Sequence, residues 1–100
     1  MDPAIPNIYV SDVVVSTAGR DQGSLYYVIS TDEMFLMLVN GKDRTLDRPK
    51  RKKRRHVQKV LRSETRVAAK LASGDKVLNS ELRRDLAYIA REMQANNLGG

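Results

Sequence analysis

Six consecutive cations, Lys50, Arg51, Lys52, Lys53, Arg54 and Arg55, stand between Pro49 and the chain's single histidine, His56. Like charges side by side repel, and none can be buried without a partner, so something outside the fold is expected to account for the run. The partner is then water and counterions, or an anionic ligand. Nucleic acid is the densest polyanion a protein commonly meets, and neutralising its phosphates releases condensed counterions that drive binding. Polybasic segments also bind anionic membranes. No lipidation motif or amphipathic basic helix accompanies this run, so nucleic acid is the favoured partner and no membrane role is expected.

Charge along the rest of the chain is uneven. Residues 1–41 carry Arg20 against five carboxylates, a net −4. Residues 42–62 carry eleven Lys/Arg against Asp43 and Asp47, a net +9, and residues 63–100 carry a net +1. The overall charge of +6 is thus a local patch, of the kind that steers an anion to one face. With 100 residues the chain has room for one small core. It has no cysteine, which removes disulfides, thiolate nucleophiles and sulfur-ligated zinc. One histidine and scattered carboxylates offer no nucleophile–base pair and no three-ligand metal set, so neither catalysis, a metal nor another cofactor is expected. The start, MDPAIPN, lacks the basic-then-apolar layout of a signal peptide, and the apolar stretch at residues 34–39 is too short to span a bilayer. A cytoplasmic location is the expectation.

Two kinds of pattern follow one another. Residues 10–15 are rich in β-branched side chains and predict a strand. A glycine-bounded turn follows, and Leu25, Tyr27 and Ile29 share one face of a second strand. Residues 34–39 are apolar at both parities and predict a central strand covered on both sides. Asn40-Gly41 predicts a tight hairpin turn into a fourth strand at residues 42–46, which Pro49 ends. The basic run, as a loop at residues 48–56, then leads into a last strand at 56–61. Five short strands with tight turns predict a small, closed or nearly closed antiparallel barrel over residues 8–62. A helical extension over 63–95 follows. Its first helix, 64–73, is capped by Ser63 and stopped by Gly74; its second, from 81 to about 95, is capped by Asn79 or Ser80 and carries the stripe Leu82, Leu86, Ile89 and Met93. The last five residues are expected to fray.

The string VVVSTAGRDQGSLYYVIS resembles the KOW motif, a strand, a G-x-x-x-G turn and a returning strand, carried here by Val13, Val14, Val15, Ala18, Gly19, Arg20, Asp21, Gly23, Val28 and Ile29. The downstream string VNGKDRTLDRPKRKKRRH is similar to a bacterial family of small KOW proteins that looks like the eukaryotic-type large-subunit ribosomal proteins of the fourteen-e kind. The resemblance covers roughly residues 10–62. Gln22 and Ser24 depart from it, standing where basic residues are common. It implies an SH3-like barrel, RNA binding and ribosome association, with ribosomal RNA as the expected partner. The helical extension lies outside the resemblance, and its apolar stripe is expected to pack on the barrel or on the first helix, with docking of a ribosomal or other protein as the alternative.

The candidate RNA-binding residues are Arg20, Lys42, Arg44, Arg48, the run from Lys50 through Arg51, Lys52, Lys53, Arg54 and Arg55, then His56, Lys59 and Arg62. Gly19, Gly23, Asn40 and Gly41 are expected to serve as turn residues. Among Tyr9, Tyr26, Tyr27 and Phe35, strand parity makes Tyr27 a core residue and Tyr26 the candidate for stacking on a base. Reversing the charge of Lys52, Lys53 and Arg54 is expected to abolish binding and leave stability unchanged. The alternatives are a protein-interaction module of a translation or transcription complex, and a nonspecific nucleic-acid binder.

Overall fold

In the computed structural model, which describes residues 7–99, five antiparallel strands form one sheet and two helices follow. The strands are β1 (Asp12–Ser16), β2 (Leu25–Thr31), β3 (Phe35–Val39), β4 (Lys50–Lys53) and β5 (Val57–Arg62). The helices are α1 (Arg66–Ser73) and α2 (Asn79–Gly99). The order across the sheet is β4-β3-β2-β1-β5.

That order forces curvature. β4 and β5 are the two edge strands, yet only the 3-10 turn Arg54–His56 separates them in the chain. Four residue steps reach about 14 Å at full extension. The edges of a flat five-stranded sheet lie about 19 Å apart. The sheet therefore curls, and register shifts at Val13/Val14 and at Val28/Ser30 supply bends. The 3-10 turn is tied to both sides of the curl: Arg54 N–H donates to the Met34 carbonyl (2.8 Å) and Thr17 N–H to that of His56 (2.9 Å).

Strand alternation divides the apolar residues between two cores. Ile8, Val14, Tyr26, Val28, Leu36, Leu38 and Val57 pack together on one face. On the other, Val13, Tyr27 and Val39 pack with Val67 and Ala68 of α1, with Val77, and with Leu82, Leu86 and Ile89 of α2. The stripe read from the sequence is thus core, with Met93 against its edge, and the helices share this core with the sheet. A hydroxyl–carboxylate network reinforces the joint. Tyr27 donates to Asp85 of α2, Thr65 donates to the same oxygen (2.7 Å), and Ser63 bonds the Tyr27 hydroxyl (2.8 Å). Burial, then the bond to Asp85, pushes the Tyr27 phenol up to about 12.

Several sequence expectations change. Residues 42–46 form no strand, because Asn40 Oδ1 accepts the N–H groups of Lys42 and Arg44, and the carbonyl of Arg44 takes those of Asn40 and Gly41. Leu46 is drawn toward the helix-side core, and its N–H donates to Asn79 Oδ1 (3.2 Å). Gly41 has a φ of +76°, and a Cβ there would sit 2.2 Å from the Asn79 carbonyl oxygen, so the turn seats against α2 only without a side chain. The third strand starts at Phe35 rather than Met34, which is exposed, and Phe35 and Met37 are only half-buried. Thr65, not Ser63, caps α1, accepting from Ala68 N–H, since the Ser63 hydroxyl is engaged with Tyr27. Gly74 ends α1 in the left-handed conformation as expected. α2 begins at Asn79, with Glu81 accepting Leu78 N–H, and continues to Gly99 through residues expected to fray.

Candidate nucleic-acid interface

The basic run is not a loop. Its first four residues are β4, and strand alternation sorts their charges onto two faces. Lys50 and Lys52 pair in register with Leu38 and Leu36, and Arg51 and Lys53 with Met37 and Phe35. Leu36 and Leu38 are buried, so Lys50 and Lys52 extend along the inner core toward the β1–β2 turn. There Asp21 receives both: Lys52 Nζ at 2.7 Å on Oδ1 and Lys50 Nζ at 3.0 Å on Oδ2. Lys52 also donates to the Ala18 carbonyl (2.8 Å) and is only 8% exposed.

Asp21 further accepts the hydroxyls of Ser16 (2.8 Å) and Tyr26 (2.9 Å). Burial alone would raise its pKa, but the bonds from Lys52, Lys50, Ser16 and Tyr26 outweigh it and hold the carboxyl well below the usual range. The turn that carries the KOW-like string is therefore fastened to the basic strand by a four-donor carboxylate. Gly19 and Gly23 give that turn its two positive φ angles, +87° and +92°. Tyr26 is 1% exposed, its phenol pushed up by burial and by Asp21, so the expectation that it stacks on a base is overturned. Tyr26 does lie on the opposite face from Tyr27, but that face holds the second core, and its hydroxyl is bonded to Asp21.

The other half of the run faces outward. The Arg51 guanidinium lies over the Phe35 ring, 3.7 Å from its centroid. Arg54 Nε donates to the Asp32 carbonyl (2.7 Å), Lys53 and His56 are half-buried, and Arg55 is exposed. Among the described residues Arg51, Lys53, Arg54 and Arg55 form no ion pair. Asp32, whose carboxylate feels the charges of Arg51 and Arg54, accepts Phe35 and Met34 N–H. Those two bonds, aided by the charges of Arg51 and Arg54, hold its pKa low.

The remaining candidates are dispersed. Lys42 and Arg48 are exposed and Arg44 half-buried on the loop seated against α2. Arg83 of α2, which the sequence reading missed, donates to the Gly41 carbonyl there (2.6 Å). Lys59 pairs with the buried Asp12 (3.0 Å) and stands 5.6 Å from the Tyr9 ring centroid, while Arg20 and Arg62 are exposed. The fold thus gathers Lys50 and Lys52 around Asp21, gathers Arg51 and Lys53 beside Phe35, and leaves the others apart. The role of Asp21 had one sequence signal: it is the only acid in the turn that precedes β2. The Arg51–Phe35 contact had none, because it depends on the β3–β4 register.

Among the described residues no helix is long and apolar enough to cross a membrane, and no three His, Cys, Asp or Glu side chains gather as metal ligands. No family model matches the chain, and no curated protein matches it.

Proposed function

We propose that this is a non-catalytic RNA-binding protein of the KOW kind, acting in the cytoplasm, with structured ribosomal RNA as its target. The observation that carries the reading is the outward half of the basic run: Arg51, Lys53, Arg54 and Arg55 occupy a strand and a 3-10 turn, and none of them has an ion-pair partner among the described residues. Cations held on a regular backbone present fixed spacing to phosphates, which suits recognition of RNA by shape rather than by base edges. The curled sheet, the 3-10 turn joining its two edge strands and the β1–β2 turn with two positive-φ glycines support an SH3-like barrel and hence the KOW resemblance. Arginines in the outward set grip phosphates through planar forks, and Lys53 adds a mobile point charge.

Binding to ribosomal RNA fragments across a potassium chloride series tests this. With about five phosphates neutralised, the slope of log K against log salt should lie near −3.5 to −4.5. A slope near zero removes the phosphate-driven mechanism. Nuclease treatment of a pull-down separates the protein-interaction reading: partners that survive digestion are held by protein contacts, and partners lost with the RNA support the proposal.

A further inference from the structure

Phe35 and Arg51 meet on the part of β3 that the helices leave uncovered. Phe35, Met37 and Val39 alternate with Leu36 and Leu38 and so share a face. Val39 is sealed in the core shared with the helices, while Met37 and Phe35 stay half-exposed. The register sets Lys53 beside Phe35 and Arg51 beside Met37. At 3.7 Å from the ring centroid, Arg51 Cζ is too close for an edge-on N–H to intervene, so the guanidinium plane rests against the ring. Arg51 is itself exposed, so its guanidinium can be reached from solvent. The plate is held in place before any ligand arrives, so little side-chain freedom remains to be lost on binding.

We propose that the Arg51–Phe35 pair is a stacking platform for one unpaired nucleobase, so that the preferred target is RNA bearing a bulged or looped-out nucleotide rather than an uninterrupted duplex. This rests on the RNA-binding reading and names the substrate class of the same surface. Bases inside a helix are already stacked on both sides, whereas a splayed base can lie on an arginine plane. Lys53, paired across from Phe35, and Arg54, held at the Asp32 carbonyl, lie next to the platform, which suits contact with the phosphates beside such a nucleotide. A surface of phosphate contacts alone would not discriminate the two targets.

The test uses two RNA hairpins identical in length and charge, one with a single bulged adenosine and one with an abasic nucleotide at that position. Affinities are measured by fluorescence anisotropy at several salt concentrations for the wild type, Arg51→Lys and Phe35→Leu, with circular dichroism melts to establish folding. The wild type should bind the base-bearing bulge about tenfold more tightly. Arg51→Lys keeps the charge and the salt slope but should bring the ratio close to one, and Phe35→Leu should do the same. If Phe35→Leu does not fold, Arg51→Lys decides alone. A wild-type ratio of one with a steep salt slope refutes the platform and leaves RNA binding standing. So does a ratio that folded Arg51→Lys preserves, since the arginine then only shields the ring. If neither hairpin shows salt-dependent binding, the RNA reading fails and the platform with it.

Discussion

Lys52 and Lys53 are adjacent, identical and equally charged, yet they occupy different chemical worlds. Lys52 is buried against Asp21 and the Ala18 carbonyl, while Lys53 lies on the half-exposed face beside Phe35. The same division separates Lys50, paired with Asp21, from Arg51, stacked on Phe35. A cationic tract is therefore not one functional unit. When it enters a strand, the two-residue period assigns alternate charges to structure and to solvent. One carboxylate placed between the inward lysines offsets their mutual repulsion and ties edge strand β4 to the β1–β2 turn. The outward cations also protect the open edge of β4 from pairing with other chains.

The largest effect that could break this division is on stability. Lys52→Glu places a second carboxylate against Asp21 and removes the donor to Ala18 O, and disrupting a buried pair in this way costs about 3–5 kcal/mol. For a small domain stable by about 5–15 kcal/mol, that is a large fraction of the total. Lys53→Glu makes the same formal change on the outward face and should cost less than about 0.5 kcal/mol. Urea denaturation of both variants decides the matter, and equal costs would mean that the two lysines are not sorted. The expectation that reversing Lys52, Lys53 and Arg54 together leaves stability unchanged is replaced by this one, since Lys52 alone should dominate the loss.

A smaller effect comes from acid. The folded pKa of Asp21 is depressed below its ordinary 3.8, so its contribution to stability is fully present above that value. Protonation removes the contribution as pH falls below about 4 toward the depressed folded value. Asp32, Asp43, Asp47 and Glu81 are also lowered, so the wild type alone does not isolate Asp21. The comparison with Asp21→Asn does: between pH 7 and pH 3 the urea midpoint of the wild type should fall further than that of the variant. Parallel falls would show that the lysine–Asp21 cluster contributes no linkage.

Most strand and helix positions were legible because they depend on local pattern. The β-branched residues of β1, the shared parity of Leu25, Tyr27 and Ile29, the Gly74 stop and the α2 stripe each follow from period and capping. What escaped depends on partners distant in sequence. Residues 42–46 have an acceptable strand composition, but Asn79, 33 residues beyond Leu46, holds the loop open. Six cations read as a solvated loop until Asp21, 31 residues before Lys52, neutralises part of the run and lets it extend as a strand. Tyr26 read as outward because its face was assumed to be wet, whereas a second core lies there. The candidate site was thus legible as a composition and hidden as a geometry.

The smallest predicted effect isolates function from fold. Lys50→Gln and Lys53→Gln each remove one positive charge from β4 while keeping a polar stem. Lys50 lies against Asp21, so its ammonium is engaged within the protein and releases no counterion when RNA binds. Lys53→Gln should make the log–log salt slope shallower by about 0.7–0.9, the share of one phosphate, and Lys50→Gln should leave the slope unchanged. Measuring slopes rather than affinities matters here, because a slight loosening of β4 in Lys50→Gln would weaken binding without changing the number of phosphates neutralised. Equal reductions in slope would mean that RNA draws Lys50 away from Asp21, and that the sorting of charges seen in the free protein does not survive in the complex.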